Sequence, residues 1–385
     1  MRNLLQLRTL LIIGSLVVVM SMLVAACGDD DDDDDGTNGD NGSEEVENGD
    51  DENGDDDQAA DPGDFEGTID FGDYGWDSAI VHNRIAQYVL ENGWGYETDS
   101  TTGETISLFQ GLVDGDVDVS MEIWVDQQPQ FEPEVEDGTI LDLGANYPES
   151  VQGWYVPTYM IEGDEERGIE PMTPDLEHVD DLPEYVDVFE DPEDPEKGRF
   201  YDCIAGWECQ RVNESKFEYY GLDEHYNRFQ PGSGAALATS LVSAYEQGEP
   251  WLGYYWAPTW VFAQVELTML EEPEYTDECW DDIVTEEGEP TGETGCAYPS
   301  VQVNKSINAE TAEQLPEEVL TFLEEYETTM DQNNEFLLYM QENEIDEHEV
   351  AAIWFLKEHE DLWTEWVPED VAEDVLAALE EEDIP

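Results

Sequence analysis

Residues 112–129 read LVDGDVDVSMEIWVDQQP. From Asp116 to Trp124 apolar and polar residues alternate, the period of a strand with one buried face, and the alternation stops at a tryptophan that runs into a polar segment and Pro129. A strand ending on an indole puts an aromatic face where ligands of α/β sheets gather, outside the carboxyl ends of the strands. The flanking sequence supplies the rest of such a fold. Upstream are a short strand, GTIDFG at 67–72, and a helix from about Ser78, capped by Asp77 or Ser78, with Val81, Ile85, Tyr88 and Val89 on one face and Gly93 as its stop. A second helix lies near 106–113. Downstream, WYVPTYMI at 154–161 reads as a strand passing through a proline, and 162–200 is acidic, proline-rich and loop-like. A helix over 235–247 stops at Gly248, strands follow at 251–256 and 300–306, and helices close the chain at 316–327, 333–341, 347–359 and 370–380. Alternating strands and helices over roughly 320 residues point to an α/β protein of two domains.

The chain opens with Arg2, Arg8, an apolar run from Leu10 to Val24, and VAAC at 24–27. That order is a lipoprotein signal peptide, in which Cys27 becomes the acylated first residue of the mature protein. An uncleaved membrane span leaves the position of Cys27 unexplained, and no later segment is long and apolar enough to span a bilayer. Residues 28–64 include the run Asp29–Asp35 and have Val46 as their only bulky apolar residue, the composition of an extended acidic tether. No EF-hand spacing supports calcium capture there.

From Phe65 onward 81 acidic residues face 9 basic ones, a net charge of −72. Self-repulsion on that scale opposes compaction in dilute buffer, whereas at about 1 M salt the Debye length is roughly 3 Å and exposed like charges hardly interact. The composition is therefore that of a protein working in strong brine, its surface kept soluble by hydrated carboxylates. Nucleic acid is excluded as a partner, because no basic patch exists to neutralise phosphates.

Outside the cytoplasm, five cysteines divide into one anchor and two disulfides. Cys203, Cys209, Cys279 and Cys296 allow three connectivities; local pairing, 203 with 209 and 279 with 296, is expected because each pair brackets a loop rich in turn residues. Zinc is disfavoured: the spacing is not that of a CxxC pair and no histidine adjoins either cysteine. The first pair encloses Trp207 in CIAGWEC (203–209). A disulfide ring of that size holds the indole in place before any ligand arrives, and it aims the amides of Glu208 and Cys209 in a fixed direction.

Trp256, which ends the strand WLGYYW and runs into APTW, gives a third indole at a strand end or tight loop beside Trp124 and Trp207. Trp354 and Trp363, among apolar neighbours on helices, read as packing. Indole faces suit a sugar or a quaternary ammonium, which has charge but no N–H and so loses no hydrogen bond when rings replace its water. Each ring contributes about 0.5–2 kcal/mol. A cation cage beside backbone donors describes a small zwitterion such as glycine betaine.

Four stretches, LVDGDVDVSMEIWVDQQP, DCIAGWECQ, YEQGEPWLGYYWAPTWV and YPSVQVNKS, resemble the glycine betaine/proline betaine substrate-binding proteins of osmoprotectant ABC importers, a likeness extending over most of 65–366. The resemblance implies the two-lobed fold of class II periplasmic binding proteins, here with lobe 1 formed by 65–156 and 300–385 and lobe 2 by 157–299. It implies an aromatic box of Trp124, Trp207 and Trp256 around trimethylammonium, with the Glu208 and Cys209 amides taking the carboxylate. It also implies a membrane permease as partner, no cofactor, and action as a monomer. Two positions depart from the family. Where one branch has a histidine four residues after the first box tryptophan, this chain has Gln128, whose amide would donate instead; where another has a histidine three residues after the last, it has Thr259. Trp76, in DYGWD, resembles an aromatic used by other branches and is expected either to line the cleft or to pack beneath it.

An enzyme has little support. With 100 acidic residues, paired carboxylates occur by chance, and no nucleophile elbow, HExxH or P-loop appears. His82, His178, His225, His348 and His359 lack metal spacing and are expected at the surface or at helix caps. A sugar-binding lipoprotein and a choline- or carnitine-type binder are the competing readings.

Overall fold

The structure, a computed structural model, describes residues 65, 67–285, 292–300 and 302–385. The expected anchor at Cys27 and the tether at 28–64 lie outside these residues. Eleven strands form two sheets among the described residues: β1 (Thr68–Asp73), β2 (Glu97–Thr102), β3 (Val119–Ile123), β4 (Ile140–Tyr147), β5 (Val151–Pro157), β6 (Glu190–Asp191), β7 (Asp194–Tyr201), β8 (Tyr226–Phe229), β9 (Gly253–Ala257), β10 (Leu267–Met269) and β11 (Val303–Asn308). The first sheet has the order β2-β1-β3-β11-β4 and the second β10-β5-β9-β7-β6, with β8 paired to β7. β1, β2 and β3 are parallel, while β11 returns from the second half of the chain and lies antiparallel between β3 and β4. The chain therefore passes between the sheets twice, between Tyr147 and Val151 and between Tyr298 and Val303. This is the two-lobed arrangement expected, with one correction: β5 pairs with β9 and β10, so the first crossing precedes Val151 instead of following residue 156.

β3 departs from its sequence pattern. All five of its residues are buried, the polar Ser120 and Glu122 included, because β1 and β11 flank it and both of its faces are covered. The expected strand at 154–161 is β5 ending at Pro157, followed by a helical turn at Tyr159–Glu162. The first helix, Asp77–Val89, continues through a π turn, Leu90–Trp94, to Gly95 at φ +75°. Gly93 does not stop it; there the C-terminal helix Glu369–Glu381 approaches so closely that a Cβ would stand 2.6 Å from Val371 Cγ1. Within 162–200 the structure holds β6 and β7, and the helix Glu208–Tyr219 follows the cysteine ring.

Lobe 1 buries Ile69, Phe71, Val119 and Ile307 of its sheet against Val81, Ile85, Phe322, Phe355 and Trp363 of its helices. Lobe 2 gathers Trp154, Phe200, Phe217, Leu241 and Trp251. Each such aliphatic or Phe side chain contributes about 1.5–3 kcal/mol by leaving water, which offsets the repulsion of the acidic exterior. The scarce cations serve the interior: Arg84 pairs with Asp73, Arg199 with Asp191 at 2.7 Å, Arg228 with Asp202 at 3.1 Å, and the fully buried Lys216 with Glu272 at 2.7 Å. His82 corrects the expectation for the histidines. It is fully buried, its Nδ1 is 2.7 Å from Tyr326 Oη, and burial pushes its pKa down to about 3, so the ring is neutral.

Candidate functional site

Four tryptophans meet between the lobes. Trp76 follows β1 as the N-cap of the helix Asp77–Val89, Trp124 follows β3, Trp207 is the N-cap of the helix Glu208–Tyr219, and Trp256 lies in β9. The ring planes of Trp76 and Trp207 are 72° apart with centroids at 4.9 Å; those of Trp207 and Trp256 are 81° apart at 5.3 Å. Successive walls at near right angles form a box, and all four indoles line one cavity with Tyr74, Tyr254, Glu122, Gln128, Glu208 and Cys209. Tyr74 stacks on Trp76 at 5.0 Å and Tyr254 on Trp256 at 6.1 Å, so two cage walls are backed by a second ring.

The ring around Trp207 forms as expected, since Cys203 is bonded to Cys209 and Cys279 to Cys296. Gly206 turns the chain at φ +94°, a conformation that favours glycine. Gly234 gives the indole room: a Cβ there would stand 3.3 Å from Trp207 Cη2, tighter than an ordinary contact.

Glu122 is the hub beneath the box. Its Oε1 accepts from Trp76 Nε1 at 2.7 Å, Trp124 Nε1 at 3.0 Å, Tyr147 Oη at 2.9 Å and Ser78 Oγ at 3.2 Å. Burial pushes its pKa up, and the four donors oppose that shift by favouring the ionised form. Sequence reading passed over Glu122 as a polar position in an alternating strand. A signal was present: Glu122 stands two residues before Trp124, hence on the same side of the strand, in an otherwise apolar run.

Trp207 is itself the N-cap of the helix Glu208–Tyr219, which begins without a side-chain cap. Gln210 N donates to Trp207 O at 3.1 Å; the amides of Glu208 and Cys209 before it lie where a helix offers no acceptor and carry the positive end of its dipole. Glu208 also brings its own carboxyl, pushed up to about 7 by burial and lowered in part by Arg211, whose Nη1 is 3.3 Å from Oε2. Gln128 lines the cavity, buried, with Oε1 free of a hydrogen-bond partner. Its neighbour Gln127, absent from the sequence reading, donates to Gln152 Oε1 at 3.0 Å, and Tyr254 Oη donates to the same oxygen at 2.7 Å. Those bonds join the segment after β3 to two strands of the other lobe.

Trp76 is thus a wall of the box. Thr259 does not line the box: its amide donates to Asn334 Oδ1 at 3.1 Å and it lines an adjoining, wider groove that shares Tyr74, Trp76 and Trp256 with the box, because the chain has turned away after β9. Among the described residues no cluster of three or more His, Cys, Asp or Glu could hold a metal ion, and no helix is long and apolar enough to cross a membrane.

Two lobes on two crossings, with an aromatic cavity between them, define a solute-binding protein of the periplasmic-binding-protein class. Residues 67–357 match the family model described as the substrate binding domain of the ABC-type glycine betaine transport system, and the chain belongs to that family. The glycine betaine-binding periplasmic protein OusX of Dickeya dadantii (strain 3937) is 36% identical over 59 residues, 15% of this chain and 18% of that protein, so the match spans less than a fifth of that curated relative. Among solved structures, the glycine betaine, L-proline-binding protein ProX of Borrelia burgdorferi has a TM-score of 0.63 at 21% identity, covering 80% of this chain and 100% of that one. A choline-binding ABC-transporter protein in complex with choline gives 0.62 at 20% identity (81% and 98% covered). Lactococcal OpuAC, closed on glycine betaine, gives 0.58 at 17% identity (78% and 99% covered). These likenesses establish the shared fold.

Proposed function

We propose that the protein is the solute-binding component of an ABC importer that captures glycine betaine or a related quaternary-ammonium osmolyte and delivers it to a membrane permease. The observation that carries this reading is the box itself: indole planes at near right angles line a cavity, and the corner indole, Trp207, is the N-cap of a helix that begins without a side-chain cap. Ring faces take the cationic head and the Glu208 and Cys209 amides take the carboxylate, with Gln128 as a further donor. Open lobes admit the zwitterion, Trp76 and Trp124 of one lobe close against Trp207 and Trp256 of the other, and the closed form docks on the permease. The protein acts by binding alone, as a monomer without cofactor, held by Cys27 in the membrane lipid on the extracytoplasmic face. Its acidic surface keeps it soluble in brine; at high salt that charge has no range over which to steer a zwitterion.

Choline is the second reading, favoured by the two carboxyl groups, Glu122 and Glu208, in a wall that contains no Lys, Arg or His. Titration calorimetry in molar salt with glycine betaine, proline betaine, choline, carnitine and maltose separates these. Glycine betaine is expected to bind tightest. Strong heat with maltose alone would end the betaine reading, and choline above betaine would remove the role of the Glu208 and Cys209 amides.

A further inference from the structure

The two oxygens of Glu122 are in different situations. Oε1 is wrapped by four protein donors, whereas Oε2 is buried and has no hydrogen-bond partner. The residue is 1% exposed and lines the cavity with the four indoles. Of the two oxygens of this cavity-lining residue, Oε2 is the one that no protein donor engages. A buried carboxylate oxygen without a partner is unfavourable, and here no cationic side chain of the wall relieves it. What the site lacks is a positive charge, and a ligand would bring it.

We propose that Glu122 is a specificity-determining residue, its free oxygen supplying a fixed countercharge by which the cage takes cationic heads and rejects uncharged groups of the same shape. The inference rests on the quaternary-ammonium reading above and deepens it. Ring faces supply part of the discrimination: a tert-butyl group fills the same box and gains the same apolar contact, and the quadrupole of each ring adds about 0.5–2 kcal/mol for a charged head. A carboxylate in a cavity shielded from water discriminates strongly, since its attraction for a cation is little screened there and has no counterpart for a neutral carbon. The four donors serve the same end. By anchoring Oε1 they fix where Oε2 stands, and by favouring the ionised form they oppose the upward push of burial on its pKa. Glu122 thereby links the two halves of cage design: the donors that aim Trp76 and Trp124 also aim the countercharge.

The test compares each ammonium ligand with its carbon isostere: glycine betaine with 3,3-dimethylbutanoate, and choline with 3,3-dimethylbutan-1-ol. Affinities are measured by calorimetry and competition in molar salt, on the full chain and on Glu122→Gln. Glutamine keeps an oxygen to accept the four donors, removes the charge, and puts an uncharged NH2 group in place of the free oxygen. The natural chain is expected to prefer the ammonium partner of each pair by at least about a hundredfold, and Glu122→Gln to lower that ratio at least tenfold, about 1.4 kcal/mol, without weakening the isostere. An unchanged ratio in a folded Glu122→Gln variant would make Glu122 a scaffold for the indoles and overturn the proposal. If the variant does not fold, the natural chain decides alone: a preference below tenfold is incompatible with a countercharge. A natural chain that binds neither glycine betaine nor choline instead overturns the functional reading on which the proposal stands.

Discussion

The rings of Trp76 and Trp207 meet edge to face, centroids 4.9 Å apart, and they come from different lobes. Trp76 caps the helix after β1 of the first sheet, and Trp207 caps the helix after β7 of the second. The box is complete only when the lobes are together, so in the proposed function closing on ligand and forming the cage are one event.

Trp207 is the corner wall, in contact with both Trp76 and Trp256. Trp207→Ala is expected to weaken betaine binding by at least about 2 kcal/mol, losing both a ring and the wall that its ring of cysteines holds ready. Trp354, stacked on Tyr339 at 4.7 Å far along the chain from the box, is expected to lower the melting temperature when changed to alanine and leave affinity intact. Calorimetry beside thermal melts checks both, and unchanged affinity in a folded Trp207→Ala variant contradicts the cage.

Opening the ring by Cys203→Ser with Cys209→Ser removes a constraint on a seven-residue loop, worth about 2 kcal/mol in the loop-entropy model. Binding is expected to weaken as well, because Trp207 and the first amides of the helix Glu208–Tyr219 must then be ordered by the ligand. The second pair, Cys279–Cys296, does not line the cavity; its removal is expected to lower stability with little effect on affinity. Equal effects of the two removals on affinity would show that preorganisation of the ring is unimportant.

Asp126 gives a pH dependence of stability. Burial pushes its carboxyl up to about 7, against the opposing pull of the backbone amides of Asp126 and Gln127. The native state thus holds a proton that the unfolded chain releases near pH 4. This contribution is full below the unfolded value and is lost as pH rises through about 7. The melting temperature in molar salt is expected to be lower at pH 8 than at pH 5, and Asp126→Asn is expected to make that fall shallower. Glu208, near 7, and Asp202, near 6, act with the same sign, whereas His82, lowered from 6.5 to about 3, acts with the opposite sign below pH 6.5. An undiminished fall in the variant contradicts the assignment.

Ionic strength is expected to act on the whole molecule. Raising salt from about 0.1 M to 1 M shortens the Debye length from roughly 10 Å to 3 Å. If that relieves about 2–3 kcal/mol of repulsion, the melting temperature rises by roughly 5 °C or more. A flat or falling dependence would contradict the inference of a brine-adapted surface.

Local signals were legible in the sequence. The helix Gly234–Gln247 carries its own punctuation, a Ser233 cap and Gly248 at φ +67°, and its bounds follow. Three box tryptophans were legible too, because strand ends and a cysteine ring mark them without reference to distant residues. β7 was not: DPEKGRFY has no apolar run, and it is a strand because β6, β8 and β9 pair with it and Phe200 enters the core. The crossing before β5 was misplaced for the same reason, since only its pairing with β9 assigns it to a sheet. Glu122 is the clearest case. In a chain with 100 acidic residues one more glutamate carries no signal, and its role emerges only when Trp76, 46 positions away, donates to it.

Methyl proton resonances of bound, carbon-13-methyl-labelled glycine betaine test the central claim most directly. Protons held against indole faces feel the ring currents, so an upfield shift on binding is expected, much reduced in Trp207→Ala. Bound betaine with unshifted methyl resonances would place the trimethylammonium outside the box and contradict the account.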